Sequence, residues 1–270
     1  MYQDFYGFEK LPFGNTPNSK TMFLTKQHRE ALNHMLYSLV NRKGFMLLTG
    51  EIGAGKSTVC RAALDRLDDS FETAWIVNPS IQEASLFKAI ALEFGLEINQ
   101  HEDSLEVMHK LNRFLVNKYL ENKIPILIID EAQNLSLESL EQIRLLSNLE
   151  TAQEKLLQIV LVGQPELRDK INHSSLVQLK QRIQIKYHLT NLNKEELEAY
   201  IDYLVQLADP SLSPTFTSPA LAKIHRFTKG IPRLINSVCD KSLLAGYVYR
   251  DPEINRDMVS RAIKEISGTI

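Results

Sequence analysis

The sequence has little excess charge of either sign: 31 basic residues stand against 33 acidic ones, for a formal net charge of −2. No global field therefore draws the chain to nucleic acid or anionic lipid, although a local basic patch is still allowed. It carries only two cysteines, Cys60 and Cys239, far apart and in no metal-ligand pattern. That usage suits a reducing compartment, and Cys60 reads as a small buried apolar residue. The seven histidines form no His-Glu-x-x-His or Cys/His metal pattern, and no Ser-His-Asp arrangement stands out. No apolar run approaches bilayer length. The opening Met1-Tyr2-Gln3-Asp4 lacks the basic-then-apolar pattern of a signal peptide. A cytoplasmic chain without a membrane span of its own is the expectation. Internal repeats and low-complexity tracts are also missing, and 44% hydrophobic with 24% charged residues is an ordinary globular composition.

What the chain does have is Gly50-Glu51-Ile52-Gly53-Ala54-Gly55-Lys56-Ser57, followed by Thr58. An apolar run, Phe45–Leu48, precedes these residues, and a helix-compatible stretch runs on from Thr58 to Leu67. A strand delivers the loop and a helix starts at it, so free N–H groups and the positive helix end face an anion. Glycines at 50, 53 and 55 let the backbone wrap a phosphate. Lys56 is placed to neutralise β- and γ-phosphates, and Ser57 to ligate Mg²⁺. A Gly-rich turn with a surface lysine is the bland alternative, and the flanking strand and helix weigh against it.

Residues 1–24 read as an irregular arm rich in aromatics, with Pro12 and Pro17 excluding regular helix, packed on the main domain as a core cap or a cover over adenine. Helices are expected at 27–43, 83–94, 104–121 (N-cap Asp103 or Ser104) and 136–148. Strands are expected at 45–49, 73–77 (closed by Asn78-Pro79), 125–129 and 156–162. Pro125–Ile129 is a continuous apolar run of the kind buried on both faces of a parallel sheet, whereas Ile183–Leu189 alternates and belongs at an edge. Strands alternating with helices give a doubly wound parallel α/β sheet. Beyond Leu192 the pattern is helical: about 194–208, 218–228, 232–248 and 255–266. The domains are thus the arm (1–24), a P-loop domain (25–190) and a small helical domain (191–270).

Asp130-Glu131 closes an apolar strand, the form in which Asp130 holds Mg²⁺ through water and Glu131 polarises the attacking water. Helix capping is the plainer use of such residues. Gln164, at the end of the next strand, emerges on the same sheet edge and either orients the lytic water or satisfies loop backbone. Arg182 stands before the edge strand. It is either a plain surface arginine or one that reaches the nucleotide of a neighbouring subunit, with Arg168 and Arg144 as competitors. Arg233 follows the turn Gly230-Ile231-Pro232 at a helix start, where it either faces solvent or reaches back to the phosphates.

Taken together, Gly50–Ser57, Ile126–Gln133, Leu161–Leu167, Gln181-Arg182-Ile183 and Gly230–Asn236 resemble the AAA+ ATPases of the general secretion pathway protein A (ExeA-like) type. Phe5-Tyr6-Gly7, Pro12-Phe13 and Gln27–Leu32 are similar too, so the resemblance covers nearly the whole chain. It implies a five-stranded AAA+ core with an all-helical lid, Mg²⁺-dependent ATP hydrolysis, and ring or filament assembly. It also implies Gln164 as sensor 1, Arg182 as an arginine finger in trans and Arg233 as sensor 2. Secretion proteins of this type often continue into a membrane span and a peptidoglycan-binding domain. This sequence stops at Ile270, and so resembles the short members tied to mannose-sensitive haemagglutinin (MSHA) type IV pilus assembly, or an isolated ATPase domain. The expected role is assembly of an envelope secretion or pilus machine by a cytoplasmic protein peripheral to the inner membrane. The rivals are a transposition-regulator-like ATPase acting on DNA, which near-zero charge disfavours, and a slowly hydrolysing regulatory scaffold.

Overall fold

A computed structural model describes residues 1–14, 23–77, 79, 83–99, 101–150 and 154–268. Pro17 and Asn78, on which two of the expectations above rest, lie outside them. In chain order the helices are α1 (Tyr2–Tyr6), α2 (Lys26–Val40), α3 (Lys56–Leu64), α4 (Glu83–Glu93), α5 (Ser104–Leu120) and α6 (Leu137–Leu146). They continue with α7 (Glu166–Ile171), α8 (Val177–Arg182), α9 (Lys194–Leu207), α10 (Ser218–Thr228), α11 (Pro232–Tyr249) and α12 (Arg256–Ile266). The strands are β1 (Phe45–Gly50), β2 (Phe71–Ile76), β3 (Ile124–Ile129), β4 (Gln158–Gly163), β5 (Ile183–Leu189), β6 (Thr215–Phe216) and β7 (Glu253–Ile254). The chain divides into two compact units. One holds Gln27–Gly50 and Lys56–Leu189; the other holds Met1–Lys26, Glu51–Gly55 and Thr190–Ile270.

The first unit is a five-stranded parallel sheet in the order β2-β3-β4-β1-β5. Hydrophobic burial sets that order. Every residue of β1 and β4 is buried, as are Pro125–Ile129 of β3, and these strands take the middle. The alternating β5 and the half-buried β2 take the edges, where one face meets a thinner cover. On one side Leu47, Leu127, Ile129, Ile159 and Leu161 pack in a single core with Ile90 of α4, Leu111 and Leu115 of α5, and Leu140 and Ile143 of α6. Local chemistry fixes the helix starts. Asp103 accepts from the backbone N–H groups of Leu105 and Glu106 while Glu106 bonds back, and Ser136 accepts from Ser139 N–H; each cap stabilises by about 1 kcal/mol. Register brings Thr49 beside Gly163 and Ile129 beside Leu161, so the carboxyl ends of β1, β4 and β3 stand side by side. Sequence periodicity did not separate α7 and α8, each too short to show it.

The second unit is built from α9 to α12. Leu197, Ile201 and Val205 of α9, Ile224 of α10, Ile235, Val238 and Leu243 of α11, and Met258 and Val259 of α12 make its core. It also contains a parallel pair, β6 with β7, which two-residue segments beside Pro214 and Pro252 could not announce by alternation.

The arm departs from expectation twice. Its first residues do form a one-turn helix, because the prolines come later and Gly7, at φ +66°, ends the turn in the left-handed region. Its aromatics lie in the core of this helical unit, not in that of the main sheet domain: Tyr6, Phe8 and Phe13 are buried with the residues just named. Tyr6 Oη donates to the Leu243 carbonyl at 3.3 Å, and the Tyr2 hydroxyl donates to the Asp240 carboxylate. Phe5 meets Tyr247 edge-on at 5.8 Å, with Arg250 over both rings. A Cβ on Gly246 would fall 2.3 Å from Tyr6 Oη, so the glycine in α11 makes room for the arm.

Candidate active site

β1 ends at Gly50 and α3 begins at Lys56, so the intervening loop opens directly onto a helix N-terminus. Gly53 and Gly55 sit at φ +80° and +93°, a region where a side chain is strained. Lys56 is buried and its Nζ donates to the Gly50 carbonyl at 2.8 Å, folding the ammonium back across the loop. A lysine so placed can exchange that carbonyl for a phosphate oxygen.

One residue further along α3, Ser57 Oγ donates to Asp130 Oδ2 at 2.7 Å. Asp130 is 5% exposed. Its other oxygen accepts from the Glu131 N–H at 2.9 Å, and its own N–H donates to the Ile76 carbonyl at 2.8 Å. Among the described residues no cluster of three His, Cys, Asp or Glu could hold a metal unaided. A hydroxyl and a carboxylate in contact instead suit a hard cation such as Mg²⁺ that draws its remaining oxygens from phosphate and water.

Glu131 stands at φ +52°, ψ +36°, a left-handed conformation that costs a non-glycine residue of order 1 kcal/mol or more. Its Oε2 accepts from Gln133 Nε2 at 2.5 Å and from Gln164 Nε2 at 3.2 Å. Gln133 Oε1 in turn accepts from the Gln164 backbone N–H at 3.1 Å. Lys170 of α7 donates to the Gln133 and Leu135 carbonyls at 2.6 and 2.7 Å, pinning the turn that follows Glu131.

The model of a family described as "AAA domain" matches residues 40–171, the stretch that contains every residue just described. This stretch of the chain carries an AAA domain. General secretion pathway protein A of Aeromonas hydrophila is 42% identical over 269 residues, which is 99% of this chain and 49% of that protein. The chain thus spans about half the length of that curated relative. The likeness read from the motifs and this identity point the same way. Among solved structures, the Aeropyrum pernix ORC2 protein in its ADPNP–ADP complexes superposes with a TM-score of 0.70 at 17% identity, covering 96% of this chain and 72% of that one. Cdc6p of Pyrobaculum aerophilum gives 0.74 at 15%, covering 94% and 70%. At those identities the likeness is one of fold.

Within the sheet unit, Gly50, Lys56, Ser57, Asp130, Glu131 and Gln164 gather at one edge. Arg182 is elsewhere: its Nη1 donates to Ser147 Oγ at 2.8 Å, at the C-terminal end of α6. Burial first, and then the charge of Arg144, hold its guanidinium below the ordinary value. Arg144 is paired with Glu141 at 2.7 Å, and Arg168 is exposed on α7. In the helical unit, Arg233 is exposed in the first turn of α11. A Cβ on Gly53 would come within 2.8 Å of Arg233 Cβ and 3.2 Å of Ile231 Cγ2. The loop glycine and the arginine that opens α11 are therefore close neighbours in one unit.

Two residues of the candidate site make contacts that the sequence did not announce. Gln133 lies inside the Ile126–Gln133 motif, two places beyond Glu131, and could have been suspected on that ground. Lys170 gave no signal, for a lysine on a short exposed helix has the look of a solubilising charge.

Proposed function

We propose that this chain hydrolyses ATP with Mg²⁺, and that hydrolysis serves assembly of a bacterial envelope secretion or type IV pilus machine. The observation that carries the chemical part is the Glu131 carboxylate, aimed by two amides and one residue away from the Asp130–Ser57 pair. Lys56 and the N–H groups at the start of α3 bind the β- and γ-phosphates. Ser57 and Asp130 would hold Mg²⁺, which when bound neutralises charge developing on the phosphate oxygens. Glu131 takes the proton of the water that attacks the γ-phosphorus, and Gln164 orients that water. Arg233, a neighbour of Gly53 in the loop, senses the phosphate. Arg182, released from Ser147, stabilises the transition state in a neighbouring copy within a ring or filament.

The cellular role rests on the Aeromonas relative, whose aligned portion takes in 99% of this chain. No helix among the described residues is long and apolar enough to cross a membrane, so a membrane partner, or a segment beyond these residues, would bring the ATPase to the inner membrane. Glu131→Gln tests the chemistry: ATP should bind and persist uncleaved, and wild-type turnover would remove Glu131 as base. Exchanging this chain for the aligned portion of the Aeromonas protein tests the role. Restored secretion that Glu131→Gln abolishes is the expected result. Turnover stimulated by DNA in a salt-dependent way would move the reading to a DNA-transaction ATPase.

A further inference from the structure

We propose that Gln133 is a positioning residue for ATP hydrolysis: its side-chain amide aims the Glu131 carboxylate and ties it to the strand that carries Gln164. The proposal rests on the reading of Glu131 as the base. A primary amide is suited to the place because it offers N–H and C=O together. The N–H end meets Glu131 Oε2 at 2.5 Å and the C=O end takes the Gln164 N–H at 3.1 Å, so one side chain spans the exits of β3 and β4.

Three further features hold the amide in register. Lys170 fixes the Gln133 backbone through its carbonyl at 2.6 Å. Gly163 leaves the space, since a Cβ there would lie 2.7 Å from Gln133 Oε1 and 2.8 Å from Leu167 Cδ2. Glu131 itself is held at φ +52°, a backbone state that persists only when its surroundings over-determine it. The last torsion of a glutamate is broad, so an unclamped carboxylate would sweep a wide arc. Both hydrogen bonds found on this carboxylate among the described residues fall on Oε2, which leaves Oε1 to accept a proton from water. A charge-assisted bond to Gln133 thus decides which oxygen does the chemistry.

Gln133→Ala, Gln133→Glu and, as reference, Glu131→Gln are compared by steady-state ATP turnover and by equilibrium binding of a fluorescent ATP analogue. In Gln133→Ala, kcat should fall about 10- to 100-fold while KM and analogue affinity stay within about two-fold, the mark of a misaligned base rather than a damaged binding site. Gln133→Glu keeps the acceptor for the Gln164 N–H but sets a second carboxylate against Glu131. Its kcat should fall at least as far as that of Gln133→Ala, again with analogue affinity within about two-fold. If Gln133→Ala does not fold, Gln133→Glu decides alone. Normal kcat in the Gln133 variants, with Glu131→Gln inactive, would overturn the proposal and leave Glu131 as base. Parallel loss of analogue affinity and kcat would also overturn it, by making Gln133 a mere strut. Full turnover in Glu131→Gln would remove the base, and the proposal with it.

Discussion

The hydroxyl of Ser57 touches the carboxylate of Asp130 at 2.7 Å although 73 positions separate them in sequence. The sheet order makes this contact, because β1 and β3 both flank β4 and end together on one edge. If the pair is a cation seat, Ser57→Ala should still bind ATP but lose most of the gain that Mg²⁺ confers. Titrating nucleotide with and without Mg²⁺ checks this. Turnover should fall about 10-fold or more. An unchanged Mg²⁺ effect would remove Ser57 from the site.

Lys56→Ala takes away the ammonium now folded onto Gly50. Its loss should weaken ATP binding about 100-fold, the scale of one charge-assisted contact to phosphate. Calorimetric titration gives the number directly, and unaltered affinity would refute the phosphate-binding assignment of the loop.

Arg182 rests against Ser147 and partly out of water. A residue that acts in a neighbouring copy shows itself by concentration dependence. Arg182→Ala should bind ATP normally but lose the rise of specific activity with protein concentration, by up to about 10³-fold at the highest concentrations. Full specific activity in a dilute monomer would exclude a role in trans.

Gly246→Ala tests the seat of the N-terminal arm. Alanine in the middle of a helix ordinarily stabilises by about 0.5–1 kcal/mol relative to glycine. Here its Cβ would fall 2.3 Å from Tyr6 Oη, so a loss of about 1–3 kcal/mol is expected instead. The midpoint of urea unfolding reads the sign. The same Cβ would also lie 2.7 Å from Ile254 Cδ1 and 2.9 Å from the Asp251 carbonyl oxygen, so a loss undiminished in a Tyr6→Ala background would mean that the arm is not what it meets.

Tyr6 supplies a pH signature. Burial, with a smaller push from Asp251, raises its hydroxyl to about 12. The fold thus favours the neutral phenol. That contribution is intact below the ordinary phenol value of about 10 and is lost as pH rises through about 12. Tyr6→Phe should therefore show a shallower fall of Tm between about pH 10 and 12 than the parent protein, and parallel curves would contradict the assignment.

The parallel sheet was legible because burial on both faces writes itself into composition: Ile126–Ile129 could be little else. The edge position of β5 was legible in its alternation. The meeting of Ser57 with Asp130 was legible because each follows a strand of one parallel sheet. The bridge from Gln133 to Gln164 was not, since it depends on the register of two strands that local pattern does not encode. The arm was misplaced for a related reason. Its aromatics announce burial, but nothing in Tyr2–Phe13 says which core will receive them. Gly246, which completes that seat, looked like an ordinary weak point in a helix.

Gly163 borders the candidate site without a functional atom of its own to offer. Saturation mutagenesis scored on ATPase output should nevertheless find position 163 among the least permissive in β4, with alanine already impaired. Its intolerance is inherited from an amide carried by the loop after the adjoining strand. Residues that donate nothing to a reaction can still be indispensable as the hollow into which a working part fits.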